Sequence, residues 1–423
     1  MTRAIITALD IGTSTVQTVV AEKKKGEEGL RILGIGMASA AGIRRGAVAD
    51  QGDAMLSIRK AVDEARKSSG VPIKNVSLSV GGAQISVSSS RGVVAVSRAD
   101  GEISPEDVRR SITAAESFVT RNPNKEIVHI IPRDFKIDNE NGIKDPIGMH
   151  GVRLEVDSLI IENSVSSLKN LFKCVEGAGL KINDYLFSPL AASHAVLSKR
   201  QKELGVMLLD IGGGTASFMV FEEGVPIHAG VIPIGGAQVT NDIAIGLRVH
   251  VDAAERIKIA HGSCLPESLS KRETIKLADF AQKEIFGDSA SQNHELLGSF
   301  PRFQLAEIIE ARLQDLFELL QKELKKIGRA ELLPAGVVLV GGSATIPGIV
   351  ELTKREMKLP VEIGVCREYQ HAVDERLASA FSTVFGVLIF ADTKSNGVAN
   401  QWEKHLSHFQ HSPFLKWLQS FLP

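Results

Sequence analysis

Two acidic turns hold the groups best placed to do chemistry. In the first, Ala8-Leu9 lead into Asp10-Ile11-Gly12-Thr13-Ser14; in the second, Leu208-Leu209 lead into Asp210-Ile211-Gly212-Gly213-Gly214-Thr215. A carboxylate that closes an apolar run and is followed by glycine and hydroxyl residues suits a phosphate site for three reasons. Glycine lets backbone N–H groups approach phosphate oxygens, the hydroxyls donate further hydrogen bonds, and the carboxylate holds Mg²⁺ through water. One such turn is equally well an ordinary hairpin, because Asp and Gly are favoured turn residues. Two copies, each opening one half of the chain, favour a nucleotide clamp in which Asp10 and Asp210 share the metal and the phosphates lie between the halves.

Two further segments add to this. Val337-Val338-Leu339-Val340 reads as a buried strand that runs into Gly341-Gly342-Ser343-Ala344 and on to Pro347-Gly348. Its glycines permit close approach by a flat base, although a plain strand-to-helix loop has the same composition. Ile234-Gly235-Gly236 precedes a helix carrying Asp242, and the helix expected over Asp252–Ala260 sets Glu255 and Lys258 three apart on one face. Alone they make a surface ion pair; with the other motifs they join the nucleotide site.

Such residues need a rigid frame. Ile5 to Leu9 with Val16 to Ala21, and Val206 to Leu209 with Ala216 to Phe221, read as two β-hairpins around the acidic turns. Helical patterns at Asp53–Ser68 and Ser166–Gly177 alternate with strands, so the class is α/β with helix-covered sheets and a cleft between two such layers. Residues from about Ala83 to Asn163 break the rhythm. Alternation at Ile85, Val87 and Ser89 is followed by Ser104 as N-cap, Pro105 at the first helical position and Asp107 three after the cap. Val108, Ile112, Ala115 and Val119 then line one face, and strands at Ile127–Ile137 and Val152–Glu162 complete a small α+β subdomain.

Composition narrows the function classes. The 423 residues, 43% hydrophobic, suffice for several cores. Lys and Arg number 49 against 50 Asp and Glu, a net charge of −1, so no global field gathers nucleic acid. Cys174, Cys264 and Cys366 are far apart and odd in number, which argues for a reducing compartment and against a zinc site. Met1 to Asp10 reads as a strand rather than a secretory leader. The longest apolar run, Leu377 to Ala391, is shorter than the roughly 20 residues that span a bilayer and reads as a buried helix. Thr393 to Ser412 is polar and reads as a linker. After it, Phe414, Leu415, Trp417, Leu418, Phe421 and Leu422 form an apolar cluster in which Phe414, Trp417, Leu418, Phe421 and Leu422 share a helical face opposite Lys416, Gln419 and Ser420. That is the composition of an interfacial membrane anchor, with a helix docked on the body as the alternative.

In this order, Asp10-Ile11-Gly12-Thr13, Asp210-Ile211-Gly212-Gly213-Gly214-Thr215 and Val340-Gly341-Gly342-Ser343 resemble the two phosphate motifs and the adenosine motif of the actin, sugar kinase and heat-shock chaperone superfamily. Within it, residues 233–244, then Ala254-Glu255-Arg256-Ile257-Lys258 and His261-Gly262, are similar to the FtsA family of bacterial division proteins, a likeness running from Ile5 to about Ala391. The inserted subdomain also falls where that family carries its own, which favours FtsA over MreB. The resemblance implies an actin-like (ribonuclease H-like) fold. Residues 1–82, 164–197 and 367–391 would form the first core subdomain and 83–163 the insertion. Residues 198–224 and 305–366 would form the second core, 225–304 its small subdomain, 392–412 the linker and 413–423 the membrane-targeting helix. It also implies ATP and Mg²⁺ in the cleft, self-assembly into filaments, and capture of the FtsZ C-terminal tail. The protein would then be peripheral on the cytoplasmic face of the membrane at the division site, recruiting later division proteins.

Several ATPases of the superfamily place Glu or Gln just before the helix joining the halves, where it orients the attacking water. Here the segment is Phe187-Ser188-Pro189. A serine hydroxyl is a poor general base, so hydrolysis is expected to be slow and the protein mainly a scaffold. A helix expected from Gln304 buries Leu305, Ile308, Ile309, Leu313 and Leu316 and leaves Arg302 and Arg312 to solvent. It matches the region that receives the FtsZ tail, so Arg312 is expected to hold an acidic peptide, against the alternative of a solvated helix charge. A small-metabolite kinase of this fold would need a carboxylate base and no membrane tail. A PilM-like assembly protein would share the plan without the terminal helix.

Overall fold

The apolar runs beside the acidic turns form Arg3–Ile11 paired antiparallel with Thr15–Lys24, and Val206–Ile211 paired antiparallel with Ala216–Glu222. The structure, a computed structural model, describes residues 3–24, 29–119, 122–280 and 298–396. Each hairpin seeds a five-stranded sheet. The first has the spatial order Lys181–Phe187, Asn75–Val80, Arg3–Ile11, Thr15–Lys24, Arg31–Ser39. Read from the other edge, the second repeats it: Val225–Ile232, Ala216–Glu222, Val206–Ile211, Val337–Val340, Val361–Ile363. In both, three strands form an antiparallel meander and two more lie parallel to the first strand. The internal repeat is therefore one of topology as well as motif.

Between the sheets lie Ser188–Val196 and Ser382–Asn396. Leu190, Ala191, Ala192, Val384, Phe385 and Leu388 pack in one core with Leu9, Val16 and Leu78 of the first sheet and Leu208, Met219 and Val338 of the second. The two helices cross where a Cβ on Gly386 would stand 1.8 Å from the Ala191 carbonyl oxygen, an approach only glycine allows. On the outer face of the first sheet, Gln51–Ser69 is capped by Asp50, whose side chain accepts from Asp53 N, and ends at Gly70 in the left-handed region. The second sheet is covered by Arg302–Lys326, which buries Leu305, Ile309, Leu313, Leu316 and Leu320.

The insertion is a four-stranded antiparallel sheet, Ser86–Ala95, Arg153–Ser164, Lys125–Ile137 and Glu140–Ile143, of which the last strand was not expected from sequence. Pro105–Phe118 packs Val108, Ile112 and Ala115 against Ile130, Leu154 and Ile160, and its capping box joins Ser104 and Asp107 as expected. The insertion touches both halves: His129 Nε2 accepts from Phe187 N at 2.9 Å, and Arg133 donates to the Ile227 carbonyl at 2.8 Å.

Three expectations change. The apolar run from Leu377 does not form one buried helix; Leu377 is 38% exposed at the end of a short 3-10 turn and the helix starts at Ser382. The expected linker from 392 begins as helix, because Asp392 pairs with Lys23 at 3.0 Å and Lys394 with Asp184, which ties a polar stretch to the first sheet. Arg302 and Arg312 stay partly exposed but are paired with neighbouring groups instead of standing free in solvent. Arg302 donates to Glu273 at 2.7 Å and to the His261 carbonyl at 3.0 Å; Arg312 bonds Asp242 at 2.6 and 3.1 Å and Asp315 at 3.0 Å. The rest of the linker and the cluster Phe414, Leu415, Trp417, Leu418, Phe421 and Leu422 lie outside the described residues. Among the described residues no helix is long and apolar enough to cross a membrane.

Candidate functional site

Both acidic turns close in the same way. Gly12 N donates to Thr15 O and Gly212 N to Thr215 O, each at 2.9 Å, so the strand before each turn presents Asp10 or Asp210 at its end. The turns meet across a cavity of about 910 Å³ between the halves. They are in contact: a Cβ on Gly213 would fall 1.9 Å from Ser14 Oγ, and one on Gly214 would fall 2.7 Å from Thr13 Oγ1. Glycine at both positions therefore sets how closely the halves approach. Thr13 Oγ1 also accepts from Gly46 N at 3.0 Å, which holds the first turn open toward the cavity.

The two carboxylates are half-buried on the cavity floor. Asp10 accepts from Ser79 Oγ; desolvation still raises its pKa, the hydrogen bond opposing. Asp210 accepts from Thr383 Oγ1 at 3.1 Å. Desolvation, and then the charge of Asp10, push Asp210 up to about 6, the threonine bond opposing. The charge of Asp10 disfavours that of Asp210, and Mg²⁺, with its preference for oxygen ligands, fits such a pair of carboxylates.

The wall of the second half is built from the helices Gly236–Leu247 and Val251–His261. Gly236 N donates to Gly212 O at 2.9 Å and Ala237 N to Gly213 O at 2.7 Å, which docks the helix start onto the second turn. Gly235 stands behind this contact; its Cβ would lie 2.6 Å from Gly212 O. Lys258, with its side chain only 10% exposed, donates to Gly236 O at 3.2 Å, Thr240 Oγ1 at 2.8 Å and Glu255 at 2.7 Å. The pair is thus an element of the cavity wall rather than a solvated surface bridge. Gly341, at φ 91°, packs so closely that a Cβ would sit 2.3 Å from Asp210 Oδ1, and Ser343 Oγ donates to Gly212 O at 3.3 Å.

Of the sequence candidates, Asp10, Gly12, Thr13, Ser14, Asp210, Gly212, Gly213, Thr215, Gly236, Glu255, Lys258, Gly341, Gly342 and Ser343 line the one cavity, with Ser188 at its floor. Gly214 and Gly235 shape the wall from behind. Arg302 and Arg312 lie elsewhere, on the helix covering the second sheet. Sequence reasoning missed Gln17, Ser79, Gly81, Gly82, Thr240 and Thr383, all on the cavity. One signal was available: Val80-Gly81-Gly82 repeats Val340-Gly341-Gly342 at the ends of topologically equivalent strands.

Residues 207–386 match the model of the family "Cell division protein FtsA", and residues 82–162 match "SHS2 domain inserted in FTSA". The chain is 36% identical over 392 residues to cell division protein FtsA of Pseudomonas aeruginosa, covering 93% of this chain and 90% of that protein. To FtsA of Bacillus subtilis it is 38% identical over 357 residues, covering 84% and 77%. Among solved structures, a PilM–PilN type IV pilus biogenesis complex superposes with TM-score 0.65 at 16% identity, covering 93% of this chain and 99% of that one. MreB5 of Spiroplasma citri bound to ADP superposes with TM-score 0.53 at 14% identity, covering 94% and 98%. These likenesses establish the actin-like ATPase fold.

Proposed function

The chain belongs to the FtsA family of cell division proteins, and from that premise we propose that it is an ATP-binding scaffold that polymerises and anchors FtsZ filaments to the inner face of the cytoplasmic membrane at the division site. The observation that carries the nucleotide part is the meeting of the two acidic glycine turns across one cavity. The turns would take the phosphates, Asp10 and Asp210 would hold Mg²⁺, Glu255 and Lys258 would serve the sugar, and Gly341, Gly342 and Ser343 would take the base. Mg²⁺ held there would supply positive charge that offsets the phosphates and the carboxylates of Asp10 and Asp210. Ser188, where a water-orienting group would stand, supplies no base, so hydrolysis is slow and the nucleotide works as a link between the halves.

The proposed partners are supported by family membership and by the tail composition. On Arg302–Lys326, Arg312 sits between Asp242 and Asp315, and an acidic FtsZ tail would compete for its guanidinium, carried on a side chain that is 31% exposed. Phe414, Leu415, Trp417, Leu418, Phe421 and Leu422 enter the lipid interface, and the linker joins them to the body. Five or six partly buried apolar side chains bind weakly once the cost of folding so short a helix is counted. Filaments overcome this by avidity, since a second tail binds at high effective concentration after the first. Membrane attachment and assembly thus reinforce each other, and the polymer offers a surface to later division proteins.

Trp417→Glu should reduce co-sedimentation of the full chain with anionic liposomes in the presence of Mg²⁺ and ATP by about tenfold or more while leaving ATP affinity at the parent's value. Undiminished co-sedimentation would remove the tether from this segment.

A further inference from the structure

Gln17 belongs to no motif, yet it occupies the cleft floor. It stands directly opposite Asp10 in the antiparallel pair, so the two side chains rise from the same face of the sheet. It is 2% exposed, lines the cavity, and its amide oxygen is buried with no hydrogen-bond partner. Buried acceptors of this kind are costly and rare, and a place for a ligand or its water explains one. On the side away from Asp10 its register partner is Met37, also on the cavity, whose side chain offers no donor.

Position along the sheet limits what would satisfy this oxygen. From edge to centre the floor runs from Ser188, after the strand Lys181–Phe187, through Ser79 and Asp10 to Gln17. Strands lie about 4.8 Å apart, so Gln17 is about 5 Å from Asp10 in the lateral direction and on the order of 14 Å from the strand that leads to Ser188. The amide is therefore beside the metal-binding carboxylate and remote from the place of an attacking water. Water held by a divalent cation is a strong hydrogen-bond donor, whereas the carboxylates can only accept. An amide oxygen accepts from such water without adding a third negative charge to a floor where two already repel.

We propose that Gln17 is a positioning residue for the metal of the nucleotide site: its amide oxygen accepts a hydrogen bond from a water on the Mg²⁺ ion that Asp10 holds, and so sets the Mg²⁺ concentration at which ATP binds. This rests on the nucleotide reading above. Removal of such an outer contact weakens metal affinity about 10–100-fold in comparable sites.

The test is a Mg²⁺ titration of ATP binding by calorimetry on the full chain, with a parallel series in EDTA and thermal melts to check folding. Gln17→Leu keeps the shape and removes the acceptor; the Mg²⁺ midpoint should rise at least about tenfold while metal-free ATP affinity stays at the parent's value. Gln17→Glu keeps an acceptor and adds charge; its midpoint should be at or below the parent's. If Gln17→Leu does not fold, Gln17→Asn, which withdraws the oxygen by one methylene, is read in the same way. A folded Gln17→Leu or Gln17→Asn variant with the parental midpoint overturns this inference alone. A parent that binds no ATP at any Mg²⁺ concentration overturns the nucleotide reading with it.

Discussion

Replacing Asp210 by Asn should cost the protein its Mg²⁺-dependent ATP affinity and, without ligand, make it more stable. Both effects come from one source. Asp210 is pushed from 3.8 up to about 6 by desolvation and by Asp10. A carboxyl whose folded-state pKa is raised holds its proton more tightly folded than unfolded. Stability is therefore lost as pH rises from about 4 to about 6 and stays lower above it, by at most about 3 kcal/mol for a shift of this size. Asn removes that penalty, so at pH 7.5 the ligand-free variant should melt several degrees above the parent, and near pH 4 the difference should close. With Mg²⁺ and ATP the order reverses. The parent gains stability from the ligand and the variant gains at least about tenfold less in affinity, because one carboxylate is gone from the metal's surroundings. Parental ATP affinity should also fall as pH drops below 6, where protons compete with the metal for the carboxylates. Melting curves at pH 4 and 7.5, with and without Mg²⁺ and ATP, check each sign; a variant that melts below the parent at pH 7.5 without ligand contradicts the electrostatic account.

Gly213→Val should reduce ATP affinity by about 100-fold or more, roughly 2.7 kcal/mol. A Cβ at Gly213 would lie 1.9 Å from Ser14 Oγ and 2.9 Å from Ser14 Cβ, so the two turns have to part or Ser14 has to leave the cavity. Either way one half loses its register on the phosphates. The hydrogen bonds that fold the second turn, Gly212 N to Thr215 O and Ala237 N to Gly213 O, do not involve that contact, so the secondary structure should survive. A circular dichroism spectrum like the parent's with ATP binding lost is the expected pair of results; unchanged affinity would mean that the turns do not jointly hold the ligand.

What was legible in the sequence was local. The hairpins, their acidic turns and the capping box at Ser104 are each encoded within a few adjacent residues, whose backbone preferences decide the outcome. The topological repeat was legible too, through Val80-Gly81-Gly82 and Val340-Gly341-Gly342, but a glycine pair without a neighbouring carboxylate carries little signal alone. Ser79, Gln17 and Thr383 reach the site by lateral register and by the crossing of two interior helices, neither of which leaves a mark in the chain order. Long-range ion pairs caused two of the misreadings. Arg312 finds Asp242 across two packed helices, and Lys23 and Asp184 turn the polar residues Asp392 and Lys394 into the end of a helix instead of a linker. Composition sees the charge and not its partner.

In the proposed function, Mg²⁺ and ATP are held jointly by the two halves. Calorimetric titration of ATP into the full chain, in Mg²⁺ and in EDTA, with Asp210→Asn and Gly213→Val alongside, tests it most directly. The prediction is saturable binding of one ATP per chain that Mg²⁺ strengthens, with the Mg²⁺ effect lost in Asp210→Asn and binding lost in Gly213→Val. Absence of saturable binding to the parent, or equal affinity in all three proteins, would contradict it.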